Sequence, residues 1–196
     1  MQLLRTVSEK SFSSVGLNCI DLIHDTSRYE RYEDKIENFN KYFISTGLPE
    51  LDEIIGGWDV NEDLVTIVAR NGLGKSWLLD KFACEAAKSG KCVGIYSGEM
   101  SEDAVGYRLD TIIGGVANGA LVHGSGSVKH QYKEFLERLQ ELVPGKILAL
   151  TPQMINGPAT VSALRTFIDK YNLDILCVDQ HSLLEDERGA KTPTEK

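Results

Sequence analysis

The 196-residue sequence lacks several features that would exclude or assign whole classes of protein. It has no apolar run near the roughly 18 residues that a membrane-spanning helix requires. Its first ten residues, MQLLRTVSEK, lack the charged start and apolar stretch of a signal peptide. Its four cysteines form no C-x-x-C pair, so we expect small buried apolar residues and neither disulfides nor metal ligands. These absences predict a cytoplasmic protein without a membrane partner.

The chain also lacks an excess of positive charge. Its formal net charge of -8 argues against a uniformly basic nucleic-acid binder, so any nucleic-acid contact must be a local basic groove. Hydrophobic residues make up 42% of the sequence, enough to bury a full core at this length. We therefore expect a globular protein with one domain and an arm.

Two unequal parts follow from the pattern along the chain. Residues 1–43 are polar and charged, and apolar side chains at helical spacing predict an amphipathic helix in this arm: Ile20, Ile23, Tyr29, Tyr32 and Ile36. From residue 44 to 196, short apolar runs alternate with longer helical patterns. That alternation predicts an α/β domain with a mainly parallel sheet flanked by helices.

Within the domain, apolar runs predict strands at 64–69, 92–97, 146–151 and 173–179. Helical patterns predict helices at 75–89, from Ser101 to Gly114, at 130–143 and at 161–172. Ser101 and Thr160 are the expected N-caps of two of these helices. Residues 116–129 give no clear pattern.

The stretch ARNGLGKSW, residues 69–77, lies between a predicted strand and a predicted helix. It fits the phosphate-loop pattern G-x-x-x-x-G-K-[ST] except that Ala69 replaces the first glycine. A small side chain is tolerable there, because this position ends the strand. The predicted nucleotide-binding residues of the loop are Ala69, Arg70, Asn71, Gly72, Leu73, Gly74, Lys75, Ser76 and Trp77. The alternative is an ordinary strand-to-helix turn.

The loop pattern predicts a role for each kind of group. Backbone N–H groups from Asn71 to Ser76 are expected to surround phosphate at the start of the helix. Lys75 is expected to reach the β- and γ-phosphates of ATP, and the Ser76 hydroxyl to hold Mg²⁺.

Two acidic residues follow other predicted strands. Asp179 ends the strand ILCVD, where a carboxylate can hold Mg²⁺ directly or through water. Its alternative is a helix cap or a solvated turn residue. Glu99 follows the strand that ends in YS and could orient the attacking water. By its position alone, however, Glu99 is more typical of a surface residue.

Four blocks in order, ISTGLPELDEIIGGW, ARNGLGKSW, YSGEMSEDAVGYRLD and LDILCVDQHSLL, resemble the RecA-like motor domain of DnaB-type replicative helicases, especially phage-carried forms. The resemblance covers roughly residues 44–190, and this family also commonly places Ala at the first loop position. It implies a RecA-like P-loop NTPase with ATP and Mg²⁺ as cofactors, in a bacterial cell or a phage-infected host.

The resemblance also implies residue roles and partners. Glu99 corresponds to the catalytic base, beside Lys75, and Arg108 is expected to form a structural salt bridge rather than to touch substrate. Residues 14–36 resemble the linker helix that docks on a neighbouring subunit of a hexameric ring. The implied partners are single-stranded DNA, further copies of the chain, and a helicase loader or a primase.

Three departures from the family pattern affect these expectations. The helical N-terminal collar typical of the bacterial enzymes is absent, so primase binding through that collar is not inferred. After Asp179 the chain reads Gln180, His181, Ser182, where the family usually has a tyrosine and then a glutamine that senses the γ-phosphate. The sequence leaves open whether Gln180, His181 or Ser182 takes over that sensing or whether the sensing is altered, and we include Gln180 among the expected nucleotide-binding residues. The chain stops at Lys196, before the family's DNA-binding loops and arginine finger. From this we expect nucleotide binding with very slow turnover.

Two other functions stay open from the sequence. One is a RecA-like ATPase that is not a helicase, such as a recombinase. The other is a nucleotide-binding decoy or partner module without motor activity.

Overall fold

A computed structural model describes residues 19–60 and 63–187 of the chain. The chain divides into two compact units, residues 1–41 and residues 42–196. The predicted arm before residue 19 and the chain end after residue 187 lie outside the described residues. None of the described helices is long and apolar enough to cross a membrane.

Among the described residues of the first unit, the main helix is α1 (Arg28–Glu37), which begins later than the sequence predicts. The carboxylate of Asp21 accepts a hydrogen bond from the amide of Ile23, and Asp25 accepts one from the amide of Ser27. Such local side-chain bonds offer the backbone an alternative to the helix. Ile20 and Ile23 therefore lie before the helix, contrary to the predicted amphipathic pattern.

The second unit alternates helices and strands, with bounds close to those predicted for most elements. In chain order, after the short helix α2 (Phe39–Tyr42), they are β1 (Phe43–Ile44), α3 (Pro49–Ile55), β2 (Trp58–Asp59), α4 (Lys75–Lys88), β3 (Cys92–Ser97), α5 (Glu102–Gly114), α6 (Asn118–Val122), α7 (Lys129–Leu142), β4 (Lys146–Leu150), α8 (Pro152–Ile155), α9 (Val161–Tyr171) and β5 (Ile175–Asp179). Two short 3₁₀ helices, Gly126–Val128 and His181–Leu183, complete the described elements.

The main sheet has three parallel strands in the order β4-β3-β5. In its register Tyr96 pairs with Leu150 and with Val178, and Ser97 pairs with Asp179. A separate two-stranded antiparallel sheet joins β1 and β2. The predicted α/β class with a parallel sheet flanked by helices is confirmed.

Helices cover both faces of this sheet. On one face, Val93 and Ile95 of β3 and Cys177 of β5 pack against three small residues of α4, namely Ala83, Ala86 and Ala87. On the other face, Tyr96 packs with Ala159 and with Leu164 of α9, and its hydroxyl accepts a hydrogen bond from the amide of Ala159 (3.0 Å). Successive residues of a strand point to opposite faces, so Ser97 and Asp179 lie on the α4 face.

The predicted first strand at 64–69 is wrong. Residues 63–70 form no strand, and the side chains of Leu64 and Val68 are 95% and 86% exposed. The apolar run has high strand propensity, but propensity specifies no partner, and no described strand pairs with it.

Helix capping agrees with the sequence. The side chains of Ser101 and Thr160 accept hydrogen bonds from the amides of Ala104 (3.3 Å) and Ala163 (3.1 Å). Gly115, with a φ of 67°, ends α5 in the left-handed conformation that glycine adopts most readily.

The cysteines match their prediction only in part. Cys84 and Cys177 are buried and Cys92 is half-buried, but Cys19 is exposed, so its predicted burial is wrong.

Candidate functional site

The loop of residues 69–76 leads directly into α4, which begins at Lys75. Gly72 and Gly74 have φ values of 79° and 86°, and nothing lies within 4 Å of a Cβ added at either position. The backbone conformation, rather than a lack of space, therefore requires glycine at both. The first N–H groups of α4 have no carbonyl partner within the helix and are free to bind an anion.

The Lys75 ammonium lies over its own loop. Its Nζ donates hydrogen bonds to the carbonyl oxygens of Ala69 (3.0 Å) and Arg70 (3.2 Å). These bonds hold the loop in a closed curve around the charged group. Phosphate oxygens are stronger acceptors than neutral carbonyls, so a bound phosphate can replace these partners.

The start of α4 lies at the carboxyl edge of the sheet. The end of α4 lies beside the start of β4, because the amide of Gly145 donates to the carbonyl of Ala87 (2.9 Å), so α4 runs opposite to the parallel strands β3 and β4. Its 14 residues span about 21 Å, and the six residues of β3 span about 20 Å, so the start of α4 lies level with the end of β3. This edge is where ligands bind in parallel α/β sheets.

The structure brings Glu99, Asp179 and Gln180 together at that edge. The amide of Gly98 donates to the carbonyl of Asp179 (2.7 Å), which ties the end of β3 to the end of β5. The Gln180 side-chain amide then donates to the Glu99 carboxylate, with 3.1 Å between Nε2 and Oε1. All three residues were predicted from the sequence, but the contact between Gln180 and Glu99, which are 81 positions apart, was not.

Asp80, one helical turn beyond Ser76, connects Asp179 to the start of α4. Burial raises the pKa of Asp80 to about 6, the positive charge of Arg108 opposes this rise, and the negative charge of Asp179 adds to it. The negative charge of Asp179 therefore reaches Asp80, in the second turn of α4. The Ser76 hydroxyl and the Asp179 carboxylate are oxygen donors of the type that Mg²⁺ prefers, with water as its remaining ligands.

Arg108 forms the predicted salt bridge, and its partner is Asp80. The distance between Nη1 and Oδ2 is 3.7 Å, and the guanidinium also lies over the Trp77 ring, 5.3 Å from its centroid. Trp77 is 37% exposed, and its ring lies beneath the Arg108 guanidinium. Sequence reasoning did not identify Asp80. Helical spacing offers the signal, since Asp80 shares a face with the buried residues Ala83 and Ala87.

His181 is exposed in the 3₁₀ helix after β5. Among the described residues, Gln180 contacts Glu99 and its neighbour His181 does not.

The segment from Ser45 to Asp52, within the block ISTGLPELDEIIGGW, forms a tight local structure. Both oxygens of the Asp52 carboxylate accept hydrogen bonds, from the Ser45 hydroxyl (2.6 Å) and the Thr46 amide (2.8 Å). These bonds lower the pKa of Asp52. The block fixes the turn before α3.

A known protein family matches most of the second unit of the chain. The family model described as DnaB-like helicase C terminal domain matches residues 44–196. The DNA repair protein RadA of Campylobacter jejuni is 42% identical over 78 residues, which make up 40% of this chain. The matched region spans 17% of the length of that relative. The family match carries with it the RecA-like class of fold.

Proposed function

The chain belongs to the family of DnaB-like helicase C-terminal domains, and from this premise we propose that it is the ATP-hydrolysing motor part of a replicative DNA helicase. The family implies binding of nucleotide with Mg²⁺, DNA binding and oligomerisation. The finer proposal is translocation on single-stranded DNA by a hexameric ring. A helicase loader or a primase is a further proposed partner.

One observation carries the proposal. Lys75 and Ser76 begin the helix whose first turn lies at the carboxyl edge of the sheet, and Glu99, Asp179 and Gln180 lie at that same edge. A phosphate group bound at the loop would therefore lie between donors of positive character and a carboxylate that can act as a base.

Each group has a distinct proposed role. Lys75 and the loop amides stabilise negative charge on the transferring phosphoryl group, because their positive and partial positive charges are already in place. Glu99 orients the attacking water and accepts its proton. Gln180 contacts Glu99 and is placed to contact the nucleotide. Ser76 and Asp179 would hold Mg²⁺, which neutralises charge on the phosphates when bound.

Equilibrium binding of a fluorescent ATP analogue with Mg²⁺ tests the proposal. We expect the chain to bind the analogue and Lys75→Ala to weaken binding by at least about tenfold, because the phosphate loses its cation. Lys81→Ala is a matched control, since Lys81 lies on the same helix and pairs with Glu85 (2.8 Å). Equal binding by the chain and Lys75→Ala would exclude a phosphate-loop nucleotide site.

The RadA similarity supports a second candidate, a RecA-like ATPase that is not a helicase. The two functions differ in strand separation. We expect the complete gene product to unwind a forked DNA duplex in an ATP-dependent manner. ATP hydrolysis stimulated by single-stranded DNA, with no unwinding of the fork, would favour the second candidate.

A further inference from the structure

An ion pair between a buried carboxylate and a half-buried guanidinium joins helices α4 and α5. Asp80 of α4 is only 2% exposed, and its Oδ2 lies 3.7 Å from Nη1 of Arg108 on α5. Within the described part of the chain, neither of these two buried atoms has a hydrogen-bond partner. The separation exceeds hydrogen-bond length, so the contact is electrostatic.

Arg108 has a second contact on the same helix. Its guanidinium lies over the ring of Trp77, which precedes Asp80 by three residues and so lies on the same side of α4. One side chain of α5 therefore contacts the first two turns of α4. Those turns begin with Lys75 and Ser76.

Helix α5 is tied to the other half of the site. Its N-cap, Ser101, follows Glu99 by two residues, and the amide of Met100 between them donates to the Ser97 hydroxyl (3.0 Å). The position of α5 therefore sets the position of Glu99. Arg108 joins the helix that carries the phosphate-binding groups to the helix that follows the proposed base.

We propose that Arg108 is a positioning residue for ATP hydrolysis, which holds Lys75 and Glu99 at a fixed separation through its contacts with Asp80 and Trp77. This inference rests on the proposed function. Arg108 itself contacts no substrate.

The pair of Arg108 with Asp80 is better suited to positioning the two helices than to stabilising the fold. Removing two charges from water is costly, so a buried ion pair is weak evidence for stability. A planar guanidinium that contacts both the Trp77 ring and the Asp80 carboxylate instead restricts the distance and the relative orientation of α4 and α5. Misplacement of reacting groups by about 1 Å can reduce a rate about 100-fold.

The test measures two quantities on the full 196-residue chain: the dissociation constant of the fluorescent ATP analogue and the single-turnover rate of ATP hydrolysis. Arg108→Met keeps side-chain length but removes the planar charge. We expect its rate to fall by at least about tenfold while the dissociation constant changes by less than about threefold. A merely structural role would lower thermal stability and leave the rate per folded molecule unchanged.

Two further variants separate geometry from charge. Arg108→Lys restores the charge but not the planar group on Trp77, so we expect it to recover only part of the rate. Arg108→Met leaves a buried carboxylate without its partner, which could unfold the chain. The double variant Asp80→Asn/Arg108→Met removes both charges and should fold, yet remain as slow as Arg108→Met.

Glu85→Gln is the control on α4, the helix of Asp80, because it removes the ion pairs of Glu85 with Lys81 (2.8 Å) and Lys88 (2.9 Å). We expect a wild-type rate.

A wild-type rate in Arg108→Met, or its recovery in the double variant, would overturn the positioning role alone. If the unmodified chain binds nucleotide no better than Lys75→Ala, the proposed function is wrong. The positioning role of Arg108, which rests on that function, is then wrong as well.

Discussion

The Gln180 side-chain amide donates a hydrogen bond to the Glu99 carboxylate, with 3.1 Å between Nε2 and Oε1. This bond joins the end of β5 to the residue that we propose as the base. It restricts the directions in which the Glu99 carboxylate can point. Gln180 can therefore affect hydrolysis through Glu99 as well as through the nucleotide.

We expect Gln180→Ala to lower the single-turnover hydrolysis rate about tenfold, part of the roughly 100-fold or greater contribution of a positioned base. Gln180→Glu should be slower still, because it places a second negative charge beside Glu99. Gln131→Ala, a glutamine change on α7, serves as the control and should hydrolyse at the wild-type rate.

A double variant distinguishes the two routes by which Gln180 can act. If Gln180 acts through Glu99, adding Gln180→Ala to Glu99→Ala should cause no further loss of rate. An additional loss of the full tenfold would show that Gln180 acts independently of Glu99.

Gly74 is expected to tolerate alanine poorly, although space is available. Its φ of 86° is costly for any residue with a Cβ, so Gly74→Ala should lower the free energy of unfolding by about 1 kcal/mol and weaken nucleotide binding. Gly106→Ala is the matched change within α5, where nothing lies within 4 Å of an added Cβ. It should raise that free energy by about 0.5–1 kcal/mol. Urea unfolding measures both, and equal effects would contradict the strain argument.

Local sequence patterns predicted the elements whose causes are local. β3 has the predicted bounds, 92–97, because its apolar residues are buried on both faces of the sheet. The caps at Ser101 and Thr160 depend only on residues three positions away. The late start of α1 also has a local cause, since the Asp21 and Asp25 side chains bond to backbone amides before the helix. The prediction missed it because it relied on the spacing of the apolar residues.

Features that depend on contacts between residues far apart in the sequence could not be predicted from local patterns. Residues 64–69 have strand propensity but no strand partner among the described residues. The contact between Gln180 and Glu99 depends on the register of two parallel strands, and that of Asp80 with Arg108 on the packing of two helices. The sequence therefore identified the residues of the site more readily than their contacts.

Stability should depend on pH through Asp80, whose pKa is raised from 3.8 to about 6 by burial. Below pH 3.8 the carboxyl is protonated in both the folded and the unfolded chain. Between pH 3.8 and about 6 the Asp80 carboxyl keeps its proton in the folded chain and loses it in the unfolded chain, so stability falls as pH rises towards 6. A difference of about 2 between the two pKa values corresponds to roughly 3 kcal/mol.

The charged and titratable groups that act on Asp80 are Arg108, Asp179, Cys84 and Cys177. Urea unfolding at pH 4 and pH 7 should show this loss in the wild-type chain but not in Asp80→Asn. Thr151→Val, which changes no ionisable group, should keep the wild-type pH dependence. The same pH dependence in Asp80→Asn would assign it to other groups.

Two fully buried threonines should respond in opposite ways to valine. The Thr46 hydroxyl donates to the carbonyl of Leu48 (3.2 Å) and accepts from its amide (3.1 Å), whereas the Thr151 hydroxyl has no described partner. Thr46→Val leaves a backbone N–H unpaired and should lower the free energy of unfolding by about 1–3 kcal/mol.

Thr151→Val removes only an unpaired hydroxyl, which is costly to bury. It should leave the free energy of unfolding unchanged or raise it by about 1 kcal/mol, because valine has nearly the same shape. Thermal unfolding of the two variants side by side measures the contrast. Thr151 follows β4 at the carboxyl edge of the sheet, so a loss as large as that of Thr46→Val would mean that its hydroxyl has a partner there in solution.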